Sequence, residues 1–312
     1  MSITNPGATA TTTGTASTAV PLVVAPRLDT RDRGRVGGTD RFAMLVMYVL
    51  LTATALVAAF PFWWMIIAAT RRSDTILTVP PPLLPGGALG TNYRELTDSL
   101  PFFRAAANSV FVAGISTLLV LFFCSLGGYA FAKFRFPGRD KLFALMLATM
   151  MIPGILGIIP SYMLMREIGW LDTYLPLIVP GAANAFGIFW MRQYITSAVP
   201  NDLIDAARID GAGQFRIYWN IVVPVILPAL AALAIMTFMG KWNEFFWPLV
   251  ILTDEDKFTL PVALSTLQSL HGQQVGVQML GASLAVLPIL AVFLLSARQF
   301  MAGLTAGALK GG

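Results

Sequence analysis

The sequence predicts an all-α membrane protein with six transmembrane helices. Three observations carry that expectation. Of the 312 residues, 56% are hydrophobic and only 12% are charged, whereas soluble domains carry about 25% charged residues. The mean hydropathy is +0.71. The apolar residues are also gathered into six long runs separated by polar segments. A helix needs about 20 apolar residues to cross the hydrocarbon core, because every backbone polar group there must be bonded within the segment.

The chain opens with residues 1–41, rich in Thr, Ala, Gly, Pro and Arg. Such a composition cannot bury a core, so a disordered cytoplasmic tail is expected. The apolar patch at 20–25 is too short for a signal-peptide core, and the basic residues follow it rather than precede it. Arg27, Arg31, Arg33, Arg35 and Arg41 stand just before the first span. They suit a topology anchor at a lipid surface better than a nucleic-acid arm.

The transmembrane domain is expected over 42–302. Its runs are 42–69, 105–132, 142–165, 174–191, 221 to about 252, and 275–297. The fourth is short. Pro and Gly interrupt several, as in Met151-Ile152-Pro153-Gly154, which helices packed against neighbours tolerate. Cys124, the single cysteine, lies inside an apolar run and reads as a small buried hydrophobe. With the N-terminus inside, fourteen of the 21 Lys and Arg residues fall on the inner side. That bias puts both termini in the cytoplasm, with Arg71 and Arg72 dissenting after the first span.

The first outer loop, 71–104, holds Pro80, Pro81, Pro82 and Pro85 and a helix-forming stretch around 93–100. A cap, a partner contact and a plain connection all suit it. The outer loop at 253–274 holds Asp254, Glu255, Asp256 and Lys257, read as solvated charges without a special role, and a polar tip around His271. His271 is the only histidine, and one His without partners makes no metal site.

A polar, helix-forming island interrupts the apolar pattern at about 197–222. Asn201 or Asp202 can cap a helix there, and Asp202 and Asp205 put negative charge in its first turn. Gly211 and Gly213 interrupt it. A second helix can start at Gln214, with Phe215, Tyr218, Trp219 and Val222 spaced to share one face.

The residues Asp205-Ala206-Ala207, Asp210-Gly211-Ala212, Ile221 and Pro224 resemble the EAA loop of ABC-transporter permease subunits, with Asp205 where the usual residue is Glu. Trp242-Asn243-Glu244-Phe245 with Trp247-Pro248-Leu249 resembles the end of the fifth span in sugar-uptake permeases, and the tail 303–311 resembles theirs too. From about 42 to 312 the chain is similar to maltose-type, six-span permeases, binding-protein-dependent transport components of bacterial inner membranes.

That resemblance implies a type I ABC importer permease fold in the bacterial cytoplasmic membrane. It implies a second homologous permease, two copies of an ABC ATPase and an external sugar-binding protein or lipoprotein. The ATPase-coupling residues would be Asp205, Ala206, Ala207, Asp210, Gly211, Ala212, Phe215, Tyr218 and Trp219. Gly307, Lys310 and Gly311 of a cytoplasmic tail, 303–312, would lie at the ATPases. Gln268, His271, Gln273 and Gln274 would contact the binding protein. Trp242, Asn243, Glu244 and Phe245 offer aromatic faces and hydrogen-bonding groups for a sugar, although Trp at a membrane boundary is commonly an interfacial anchor.

The chemistry missing from the sequence agrees. No G-x-x-x-x-G-K-[ST] loop is present, so ATP and Mg are expected on the partners and no catalytic, cofactor or metal site here. Proton- and ion-coupled carriers keep ionisable residues at the midplane; only Lys241 and Glu244 come near. The leading expectation is a carbohydrate importer subunit. The alternatives are the same fold for a glycerol phosphodiester or a polyamine, or a secondary carrier or channel.

Overall fold

The computed structural model describes residues 38–76, 78–270 and 274–308. They fall into two compact units, 1–57 and 58–312. The described part of the first is helical, and its residues 42–57 carry no charge. Helix α1 (Gly38–Ala69) thus begins before the expected boundary at 42; residues 1–37 of the expected tail lie outside the described residues.

In the second unit α2 (Ser73–Ile76) and α3 (Leu89–Ser99) occupy the first loop. The short surface helix expected around 93–100 is α3, begun four residues earlier. Next come α4 (Phe102–Lys133), α5 (Arg139–Thr149), α6 (Ile158–Glu167), α7 (Leu175–Ile178) and α8 (Ala185–Ala198). The polar island forms α9 (Asn201–Ile209) and α10 (Gln214–Ile217). The last helices are α11 (Val223–Trp242), α12 (Phe246–Ile251), α13 (Leu260–Leu270) and α14 (Val275–Ala308). Among the described residues every regular element is helical.

Among the described residues four helices are long and apolar enough to cross a membrane: 42–69, 102–133, 214–242 and 275–294. A fifth appears when α5 and the 154–167 segment, bent by 90°, count as one span. The third apolar run is therefore broken. Pro153 is extended (φ −58°, ψ 123°), and a tight turn at Gly154–Gly157 leads into α6. Proline lacks the N–H that the helix ladder needs, and its ring crowds the preceding turn. The fourth run is broken too. It divides at Pro180-Gly181 into α7 and α8. Asn184 restarts the helix as its N-cap, its side chain accepting from the Gly187 N–H at 2.8 Å. The fifth run pauses at 243–245 between α11 and α12. Helix α14 continues past 303, so the expected tail is helical as far as Ala308.

Helix α4 is the spine, packed against α7, α8, α11 and α13. Its approach to α8 depends on small residues. A Cβ at Gly128 would lie 2.6 Å from Met191 Cβ, and one at Gly187 would lie 2.6 Å from Cys124 Sγ. Close helix approach through glycine is a common device in membranes. One apolar core lies where α4, α8 and α11 meet the polar island, around Tyr129, Met191, Ile195, Ile204, Ile217 and Ile226. A second, at the far end, gathers Leu96, Phe102, Trp242, Leu260, Leu267 and Leu280.

Two polar fastenings close that far end. The buried Asn92 amide donates to the carbonyls of Ala69 and Arg71 at 2.8 and 2.9 Å. Asp172 holds the loop before α7 against the one after α12. Its Oδ1 accepts from the Thr253 and Asp254 N–H groups at 3.0 and 3.1 Å, and its Oδ2 pairs with Lys257 Nζ at 2.6 Å. Lys257 also meets Asp254 at 3.3 Å. Asp254 and Lys257 therefore have a fastening role that their polar sequence context does not announce.

Candidate functional site

The site is the elbow formed by α9, its following turn and α10. Helix α9 begins at Asn201 after Pro200, which has extended backbone (φ −62°, ψ 144°). Pro200, not Asn201 or Asp202, occupies the capping position, and no side chain caps it. Asn201 Oδ1 is taken by Lys133 Nζ at 2.9 Å instead. Asp202 is in the first turn as expected, whereas Asp205 falls one turn later.

The helix ends on a left-handed residue, Gly211 (φ +78°). The Ala212 N–H bonds the Ala207 carbonyl at 2.9 Å, and the Gly211 N–H bonds that of Arg208 at 3.0 Å. This is a Schellman ending, which satisfies carbonyls that the helix would leave open. Gly213 has extended backbone (φ −68°, ψ 158°) and leads into α10.

The inner face of the elbow is fastened to α4. Lys133 Nζ donates to the Val199 carbonyl at 2.6 Å. Tyr129 OH donates to Gln214 Oε1 at 3.2 Å. The Tyr218 and Ser125 hydroxyls are 2.6 Å apart. Ile204, Ala207, Ile217 and Tyr218 fill the core beneath. One wide π turn, Tyr218–Val222, links α10 to α11.

The outer face is exposed and mixed. Ile209 is 87% exposed and Phe215 71%, with Leu203 and Trp219 also open. Asp205 pairs with Arg208 at 3.0 Å, both partly in solvent. Asp210, Gly211 and Ala206 lie on the same exposed surface, and Ala212 is half-buried. The single face expected for Phe215, Tyr218, Trp219 and Val222 is split. Phe215 and Trp219 point out, while Tyr218 and Val222 are buried at 2% and 0% exposure. Tyr218 is thus corrected from surface contact to anchor, because its hydroxyl finds a partner only inside. Ala207, 9% exposed, also faces inward. Ile209 was not singled out from the sequence, although an isoleucine in a polar island was the available signal.

The residues at 242–245 are brought together only in part. Trp242 is 2% exposed; it stacks on Phe238 and donates to the Ala285 carbonyl at 3.2 Å. It is a core residue, so a sugar contact there is corrected. Asn243 is exposed and bonds its own helix. Glu244 pairs with Lys241 at 2.8 Å beside a cleft, and Phe245 is partly exposed. Of the other candidates, His271, Gln273, Lys310 and Gly311 lie outside the described residues. Gln268 and Gly307 are on α13 and α14. Gln274 precedes α14, and its Oε1 is buried without a partner among the described residues. Among the described residues no three His, Cys, Asp or Glu side chains gather as a metal site.

Residues 124–306 match the family described as "Binding-protein-dependent transport system inner membrane component". The lactose transport system permease protein LacG of Rhizobium radiobacter is 36% identical over 264 residues, covering 85% of this chain and 96% of that protein. The arabinooligosaccharides transport system permease protein AraQ of Halalkalibacterium halodurans is 39% identical over 204 residues, covering 65% and 73%. A solved bacterial ABC transporter involved in the import of the acidic polysaccharide alginate contains a similar chain. It superposes with a TM-score of 0.71 at 27% identity, covering 85% of this chain and 98% of that one.

Proposed function

Because the chain belongs to the binding-protein-dependent transport system inner membrane components, we propose that it is the multi-pass permease subunit of an ATP-driven carbohydrate importer. In this reading its elbow is the lever on which separate ATPase subunits act. The observation that carries this role is the elbow's two-sidedness. Apolar side chains stand out from one face, and the other is bonded to α4 at three places.

Ile209, Phe215 and Trp219 plug into a cleft on the ATPase, where apolar and aromatic burial dominates such a contact. Asp205 exchanges its weak pair with Arg208 for a basic group on the partner. When ATP closes two ATPases, the elbow moves with them. The fastenings at Ser125, Tyr129 and Lys133 pass that motion to α4 rather than absorbing it in a loose loop. The result is a hinge-type switch between two arrangements of the spans. ATP and Mg stay on the partners.

A second permease completes the solute path, and an external binding protein delivers the solute to the face around the loop between α13 and α14. Both termini lie in the cytoplasm, with Gly307, Lys310 and Gly311 near the ATPases. The carbohydrate assignment draws on the lactose and arabinooligosaccharide permeases among the relatives.

The test places a cysteine at Phe215 or Ile209 in a Cys124→Ser background, in the assembled transporter. Crosslinks should reach the ATPase and change in yield with ATP; labelling only from outside the cell overturns the reading. For the solute, the cognate binding protein is melted with a sugar panel, a polyamine and a glycerol phosphodiester. Stabilisation by a sugar supports the proposed class. A response confined to either of the others replaces it.

A further inference from the structure

A second feature lies on α11, well away from the elbow. Leu233, Met236, Thr237, Gly240, Lys241 and Glu244 recur at helical spacing and line one open cleft of about 560 Å³. Its other wall includes Val120, Gly181, Asn184 and Phe186. The stripe grows more polar towards the end of the helix and finishes in an ion pair. Lys241 Nζ lies 2.8 Å from Glu244 Oε2 and donates to the Leu177 carbonyl at 3.1 Å. Both side chains are partly covered, at 21% and 30% exposure.

A lipid-facing stripe has no use for such groups. Ionisable side chains in a spanning helix are costly and are kept where they face water or a partner. The cleft is lined mostly by apolar surface, with the Thr237 hydroxyl and the Lys241–Glu244 pair among its few polar groups; the Asn184 side chain is already engaged by the Gly187 N–H. The two charges of the lining cancel. The wall is therefore mainly apolar, with a few hydrogen-bonding groups and no net charge.

Resting on the transport reading above, we propose that this cleft is the subunit's wall of the solute path, and that the Lys241–Glu244 pair keeps the wall neutral. It suits an uncharged solute that presents apolar faces together with a few hydroxyls, as sugar rings do. An anionic glycan would gain there only if Glu244 no longer balanced Lys241.

The test needs no transported solute. Thr237→Cys is introduced with Cys124→Ser in the assembled transporter, and Gly240→Cys serves as a second probe because a Cβ there meets open space. The probes are methanethiosulfonates of opposite charge, one carrying a trimethylammonium group and one a sulfonate. Both reagents should react in the otherwise native background. Adding Glu244→Gln should raise the anionic-to-cationic rate ratio roughly three- to tenfold, as expected for uncovering one charge a few ångströms away in a low-dielectric cleft. Lys241→Met should lower the ratio. No reaction at either position, or crosslinking of both to the partner permease, means that the face is covered and overturns the proposal. An unchanged ratio in Glu244→Gln overturns the neutrality. If labelling behaves as expected but no sugar stabilises the binding protein, the carbohydrate reading fails and the water-lined path stands.

Discussion

The Tyr218 hydroxyl sits 2.6 Å from that of Ser125, joining the first turn beyond the elbow to the last third of α4. Ser125 Oγ also donates to the Leu121 carbonyl, so the tyrosine is the donor in the pair. The two partners are therefore not equivalent. Ser125→Ala leaves a buried phenol without an acceptor and should cost about 1–3 kcal/mol, whereas Tyr218→Phe should cost only about 0.5–1.5 kcal/mol. Thermal unfolding of the purified assembly should rank them in that order. Equal melting points would mean that the pair is not a fastening.

Asp205 separates folding from function. Its pair with Arg208 is an exposed i, i+3 contact, worth about 0.2–0.5 kcal/mol. Asp205→Lys should leave membrane assembly intact and break the link between ATP turnover and uptake. Wild-type uptake in that variant would remove Asp205 from the docking surface.

Ile209 and Phe215 make a sharper pair of probes. Both are exposed in this chain, so Ile209→Asp or Phe215→Asp should barely alter the subunit's own melting. Recovery of the ATPase on co-purification should fall at least tenfold, the scale of losing a buried apolar anchor of ~1.4 kcal/mol or more. Full recovery would show that the elbow's apolar face is not what the ATPase grips.

Gly211 is held at φ +78° with open space where a Cβ would go. Gly211→Ala should cost about 1–2 kcal/mol from backbone conformation alone, and Gly211→Asn less, since Asn visits this region more readily. Melting curves of the two variants decide it. Equal losses would point to a steric cause.

The fastening at Asp172 should show in acid. The Lys257 ammonium, and after it the Thr253 N–H, hold the Asp172 carboxyl down at about 2, from an ordinary value of 3.8. Its folded pKa lies below the unfolded one, so its contribution is present above about pH 4 and fades as pH falls from 3.8 towards 2. Asp172→Asn should be less stable at neutral pH and should lose that part of the pH dependence. Melting between pH 5 and 2 tests this; parallel curves for the two proteins would exclude it.

The positions of the elbow and the turn at Gly211 were legible because they depend on local rules. A polar island among apolar runs, acidic residues near a helix start and a glycine at its end act over a few neighbours. The broken third and fourth runs were harder. Hydropathy sums composition over a window and is blind to direction, so Pro153 looked like a tolerated interruption rather than an end, and the Pro180-Gly181 break in the fourth run left no separate signal. Tyr218 and Trp242 were misplaced for a related reason. Both carry a polar atom on an apolar ring, and only the fold decides whether that atom meets solvent or, as here, Ser125 and the Ala285 carbonyl. The Asp172–Lys257 contact joins residues 85 positions apart, beyond any local pattern.

The π turn at Tyr218–Val222 holds one residue more than an ordinary helical turn. Deleting a single residue there would let the backbone close as an unbroken α-helix, and because the wide turn spends its extra residue on almost no additional rotation, the helix beyond it would keep nearly the same facing. Lys241 and Glu244, both beyond the joint, would stay paired on the same side of the bundle. The wide turn thus takes up an extra residue locally, so chains with or without that residue would keep the same orientation between the elbow and the polar stripe of α11.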